Sequence, residues 1–172
     1  MKISYAIVSA DSNPYYLDFW PVVAKLWSEK FGITPVLGYV GVNPPKHLKD
    51  SGEIHCLEPV ENIPRSFQAQ WARFFLTQRY GEEIAIISDI DMLPLSSWYF
   101  IDQIADMHDN AYVHLYPCID SYGHLPACYH VAKGNLFENV LNLTDGWQDS
   151  CQYVYHQKFG TEIRLSHLND PT

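Results

Sequence analysis

Short apolar runs alternate along this chain with longer segments whose apolar residues recur every three or four positions. Residues 3–8 form a continuous apolar run that predicts a buried first strand. Asp11, Ser12, Asn13 and Pro14 break it and start a helix, with Asn13 or Ser12 as the cap and Pro14 at the first helical position. Tyr16, Trp20, Val23, Ala24, Trp27 and Phe31 then share one helical face, and Gly32 ends the helix. Strands follow at 35–40 and 54–57, joined by the polar loop 44–52. The spacing predicts a second long helix over 64–80. Phe67, Trp71, Phe74 and Phe75 form its apolar face; Ser66, Gln70, Arg73 and Thr77 form a separate polar stripe. Gly81 stops it, and residues 84–88 make another strand buried on both faces. Further on, the pattern predicts a helix at 98–107, strands at 111–116 and 128–132, helices at 135–143 and 148–159, and a last strand at 162–165. Strand and helix alternate throughout, which argues for an α/β domain.

The 172 residues fit one domain, 1–172, and with 47% apolar residues they can build a core. The net charge of −9 excludes nucleic-acid binding through a basic footprint. It also means that a phosphorylated substrate needs a cation between two negative partners. The aromatic share of 15% suits stacking on sugars or bases as well as core packing. The first apolar run is too short for a signal peptide, and no stretch reaches the length of a membrane span, so the chain reads as cytoplasmic. Cys56, Cys118, Cys128 and Cys151 include no CxxC pair and read as free thiols. Cys118, His124, Cys128 and His130 are zinc-ligand types, but at spacings that match no zinc module. His114, Tyr116 and Cys118 alternate on one predicted strand, with Asp120 beyond, and read as a partly polar core edge.

In open α/β sheets, ligands bind beyond the carboxyl ends of the strands. Two predicted strand ends carry carboxylates: Asp11 after the first, and Asp89 with Asp91 after the strand at 84–88. Carboxylates one residue apart at a strand exit can approach one hard cation, Mg²⁺ or Mn²⁺, with phosphate oxygens completing the shell. A bare Asp-x-Asp is common, and its alternative is a solvated turn. Here an apolar strand precedes it and Met92, Leu93, Pro94 and Leu95 follow, which favours a site over a turn.

The string Ile86-Ile87-Ser88-Asp89-Ile90-Asp91-Met92-Leu93-Pro94 resembles the DxD segment of GT-A glycosyltransferases. Trp71-Ala72-Arg73-Phe74 resembles the aromatic-Ala-Arg-aliphatic helix that precedes DxD in glycogenin-like members, where the arginine contacts the donor. The resemblance implies a GT-A fold, a mostly parallel Rossmann-like sheet flanked by helices. It places Ser9, Ala10 and Asp11 at the base and ribose end of the donor site. Arg73 and Asp89 then contact the donor, and Ser66 and Gln70 lie near the DxD exit because their helix runs antiparallel to that strand. Gly146-Trp147-Gln148-Asp149 resembles the Trp-x-acid segment that supplies the base in several inverting members, which makes Asp149 the expected base and Asp145 its alternate. The His-x-Gly-x-Lys-Pro-Trp closing segment is absent, leaving His167 as the candidate third metal ligand beside Asp89 and Asp91. Because the chain stops at Thr172 in what reads as a loop, an excised or a naturally minimal catalytic domain is left open.

The expected reaction moves a sugar from a nucleotide-diphosphate sugar to the hydroxyl of a glycan or other acceptor. UDP-sugars come first as donors and GDP-sugars second. Mn²⁺ or Mg²⁺ sits on Asp91, with Asp89 direct or through water, and Asp149 takes the proton with inversion. The rivals are a haloacid-dehalogenase-type phosphatase, which also places Asp-x-Asp after an apolar strand, and a non-catalytic nucleotide-sugar or carbohydrate-binding domain. A sugar-nucleotide pyrophosphorylase would need a Gly-rich basic loop in place of Ser9-Ala10-Asp11-Ser12-Asn13.

Overall fold

The computed structural model describes residues 1–115, 126–143 and 146–166. Six strands form one sheet in the order β3-β2-β1-β4-β6-β5. β1 (Tyr5–Ala10), β2 (Thr34–Val40), β3 (Glu53–Leu57) and β4 (Ile84–Ile87) run parallel. β6 (His130–Lys133) is antiparallel to both β4 and β5 (Val113–His114). The expected mostly parallel sheet is therefore found in its first four strands, and β6 departs from it. β1 and β4 are central and buried, and almost wholly apolar, because helices cover both of their faces. The short strand expected at 128–132 starts two residues later than its apolar pattern. Tyr129, with φ 61°, turns the chain just before the strand begins.

One face of the sheet carries Trp20, Val23 and Trp27 against Val8, Leu37 and Ile86. The single helix expected to supply them is broken. α1 (Pro14–Leu17) ends before α2 (Trp20–Lys25), and a wide π turn over Leu26–Lys30 follows. Pro21 is the cause: it lacks the N–H a continuous helix would need and is accepted only in a first turn, where it stands in α2. Asn13 caps α1 through its side chain, and Pro14 opens it.

The other face is covered by α3 (Arg65–Leu76), which continues as a 3-10 turn over Thr77–Tyr80 and stops at Gly81, where φ is 49°. Ala72, Phe75 and Leu76 pack on Ile7, Val36 and Ile87. Gly38 lets this helix come close: a Cβ there would stand 2.8 Å from Leu76 Cδ1. Gln68 fixes the start of α3. Fully buried, it accepts from Val60 N–H at 2.9 Å and donates to Val60 O at 2.9 Å and Ile63 O at 2.8 Å. A buried amide so satisfied acts as a clamp on the loop that feeds the helix.

The helix expected at 98–107 is two short pieces, α4 (Ser97–Phe100) and a 3-10 turn over Asp102–Ile104, which separately bury Phe100 and Ile104. α5 is Gly134–Leu141 and α6 is Trp147–Ser166. α6 lies antiparallel to α3: Trp147 packs on Phe75, Ser150 accepts from Trp71 Nε1 at 3.0 Å, and Tyr155 packs on Phe67. It runs through the strand expected at 162–165. Glu162, Arg164 and Leu165 are good helix formers, and a short run of this kind does not distinguish strand from helix by period. Cys56, Cys128 and Cys151 are free thiols. Among the described residues no helix is long and apolar enough to cross a membrane.

Candidate functional site

The chain leaves β1 to build β2 and β3 on one side, then returns to build β4 on the other. This reversal separates the loops at the carboxyl ends of β1 and β4, and such a crevice is where open α/β sheets bind ligands. A cleft of about 290 Å³ lies there, at the small end of the range for small-molecule sites. The β1 exit contributes Ser9, Ala10, Asp11 and Asn13; α1 contributes Tyr16; α3 contributes Ser66, Ala69, Gln70 and Arg73; the β4 exit contributes Asp89, Ile90 and Asp91.

Each group is held differently. The Ser9 hydroxyl donates to Ala69 O, which ties the β1 exit to α3 and uses its only proton. Asp11 does not cap α1 itself. Its Oδ1 accepts from Asn13 N–H at 2.8 Å, and Asn13 Oδ1 in turn accepts from Tyr15 N–H at 3.1 Å. Ser66, Ala69, Gln70 and Arg73 recur every three or four residues, so one stripe of α3 faces the cleft. Thr77, expected to extend that stripe, is fully buried and donates to Phe74 O at 2.7 Å.

Arg73 is 4% exposed. Its Nη1 donates to the Asp89 carboxylate and, at 3.3 Å, to Ser88 O; its Nε is buried with no partner. Arg73 is thus a buried, paired group and not a solvated helix arginine. The Cys128 thiol lies beside Asp89; burial and then the negative charge of Asp89 push it up to about 11, so it is protonated at neutral pH. Met92 N–H closes the Asp89–Met92 turn on Asp89 O at 3.4 Å. Ile90 is buried, whereas Asp91 projects into solvent at the cleft rim. Of the apolar flank after Asp91, Met92, Leu93 and Leu95 are exposed.

Behind Arg73, His130 donates from Nε2 to Pro126 O at 2.8 Å, since a carbonyl only accepts, and its Nδ1 accepts from Tyr112 Oη at 3.1 Å. His114 stacks on it at 4.2 Å, as befits a partly polar core edge. Both nitrogens of His130 are engaged, and among the described residues no three His, Cys, Asp or Glu side chains gather as metal ligands.

Eight of the sequence-derived candidates meet in this cleft: Ser9, Ala10, Asp11, Ser66, Gln70, Arg73, Asp89 and Asp91. Asp149 does not line it. Asp149 is exposed in the first turn of α6, beside the C-terminal half of α3. His167 and Asp145 lie outside the described residues, as do Tyr116, Cys118, Asp120 and His124. Sequence reasoning missed Tyr16, which it placed in the core. Tyr16 is 50% exposed because the helix breaks after α1, and Pro21 was the signal available. It also missed Cys128, whose approach to Asp89 depends on the turn at Tyr129.

Comparison with known structures shows which architecture this is. The chain aligns with the glycosyltransferase GlyE of Streptococcus pneumoniae TIGR4 at a TM-score of 0.52 and 13% identity. Its fold is glycosyltransferase-like. The alignment covers 92% of this chain and 44% of GlyE, so the chain spans less than half the length of that protein. No family model and no curated protein matches the sequence.

The donor set fits a divalent cation that shares its shell with a ligand. Two carboxylates, Asp89 and Asp91, supply hard oxygens in one cleft, too few for a closed protein cage and suited to a cation completed by phosphate and water.

Proposed function

We propose that this chain is a GT-A-type glycosyltransferase that takes its sugar from a nucleotide-diphosphate sugar, a UDP-sugar first, and passes it to an acceptor hydroxyl. One observation carries the reading: a guanidinium from α3 and three carboxylates from the β1 and β4 exits share a single cleft at the switch point of a glycosyltransferase-like sheet. Ser9, Ala10, Asp11 and Tyr16 form the end that takes the nucleoside. Arg73 and the β4 exit form the diphosphate end. A divalent cation on Asp91 and Asp89, Mn²⁺ or Mg²⁺, would neutralise the diphosphate as leaving group.

A general base must come within hydrogen-bond reach of the hydroxyl it serves. Asp149 is not among the residues that line the cleft, and no base and no stereochemical course are part of this proposal.

A thermal-shift panel of nucleotides and nucleotide sugars, each with Mn²⁺ and with EDTA, tests the reading, because ligands that bind the folded state raise its melting temperature. UDP or a UDP-sugar should stabilise with Mn²⁺. A flat response to every nucleotide would refute it. Binding with no sugar turnover would leave a carbohydrate- or nucleotide-binding module in its place.

A further inference from the structure

Arg73 and Asp89 each have two calls on them under the nucleotide-sugar reading, on which this inference rests. The diphosphate draws on the guanidinium and the cation draws on the carboxylate, yet the structure commits each to the other. Among the described residues Arg73 has no second carboxylate: Nη1 reaches Asp89 and Ser88 O, and Nε is buried without a partner. The other charged groups of the cleft, Asp11 and Asp91, are negative. A diphosphate arriving alone therefore meets three carboxylates and one arginine whose charge is already neutralised. A cation arriving alone meets a carboxylate already paired with a guanidinium.

We infer that the Arg73–Asp89 ion pair is an autoinhibitory contact, which withholds the guanidinium from anions and the carboxylate from cations until both ligands are present. A cation that takes up Asp89 releases Arg73 toward phosphate, and a phosphate that takes up Arg73 releases Asp89 toward the cation. Such coupling is reciprocal by thermodynamic necessity. The unpartnered Nε gives the arginine a further reason to turn toward an incoming anion, since a buried donor left without an acceptor is costly.

The test uses the purified chain and calorimetry, with UDP or inorganic pyrophosphate in EDTA as the anion probe and Mn²⁺ alone as the cation probe. Asp89→Asn frees Arg73, while Asp91→Asn removes the same charge from the same cleft and leaves the pair intact. In EDTA, Asp89→Asn should bind UDP about tenfold more tightly than the unaltered chain, the size of one charge-assisted hydrogen bond, and Asp91→Asn should gain clearly less. Arg73→Gln frees Asp89, and Mn²⁺ alone should bind it about tenfold more tightly. Equal gains in Asp89→Asn and Asp91→Asn would reduce the effect to cleft charge and overturn the inference. Unchanged Mn²⁺ affinity in Arg73→Gln would overturn it too, and either variant decides the matter if the other fails to fold. Failure of the nucleotide reading looks different: the unaltered chain would then ignore UDP even with Mn²⁺, while pyrophosphate and Mn²⁺ would still report on the pair.

Discussion

Arg73 on α3 and Asp89 at the β4 exit are joined by an ion pair that closes the inner wall of the cleft. The guanidinium is buried, but one third of the Asp89 side chain remains open to solvent. Removing one partner strands the other. Asp89→Ala should cost about 2–3 kcal/mol of stability, below the value for a fully buried pair because Asp89 is partly solvated. Arg73→Met with Asp89→Leu should cost less than the sum of the single changes, as measured by urea denaturation.

Asp91 is exposed at the rim and is free of Arg73, so its role is separable from folding. Asp91→Ala should melt within about 1–2 °C of the unaltered chain, as surface substitutions usually do, yet lose the stabilisation by UDP that requires Mn²⁺. A retained Mn²⁺-dependent shift would move the cation elsewhere.

Asp149→Asn should leave donor binding and sugar transfer close to normal. The Trp-x-Asp resemblance points the other way, toward the ~10²–10⁴-fold loss expected for a general base. The difference rests on position: Asp149 is on the first turn of α6, outside the cleft. A large rate loss with intact UDP binding would restore it as the base.

The Gln68 clamp makes a prediction about a residue remote from chemistry. Gln68→Leu leaves Val60 N–H, Val60 O and Ile63 O without their buried partner. It should cost about 3 kcal/mol and should lower affinity for UDP, because the loop it holds sets where Ser66 and Gln70 enter the cleft.

Burial holds His130 below its ordinary value of 6.5, with repulsion from His114 and Arg73 adding to it. The folded state thus resists a proton that the unfolded chain accepts. Stability conferred by neutral His130 is complete above pH 6.5 and is lost as pH falls from there through the folded-state value. His130→Gln should flatten the fall of melting temperature across that acid window, leaving the part due to His55, also held low by burial.

Much of the parallel half of the sheet was legible because its strands are apolar runs and α3 carries its face at helical spacing. The Asp-x-Asp exit and the Ser66, Gln70, Arg73 stripe could be placed together from direction alone, since α3 must return antiparallel to β4. Other features were hidden for physical reasons. Strand direction in β6 is a tertiary matter that alternation does not encode. Arg73 reads as a donor contact on a polar stripe, but its burial and its pairing with Asp89 are tertiary facts that the spacing does not encode. Pro21 was visible, but the regular spacing of Trp20, Val23 and Trp27 on either side of it outweighed the break it imposes.

Gly38 gives the molecule a calibration point. The gap between α3 and the sheet is set where β2 offers no side chain, and there the nearest atom is the end of a fully buried leucine. One added methyl at this position would have to be absorbed by Leu76 or by a lift of the whole helix. That helix carries one jaw of the cleft, so its opening is gauged by an atom that is missing two strands away from Asp89. Substitutions that adjust the bulk at 38 offer a way to tune how large a ligand the jaws accept, without touching any group that meets it.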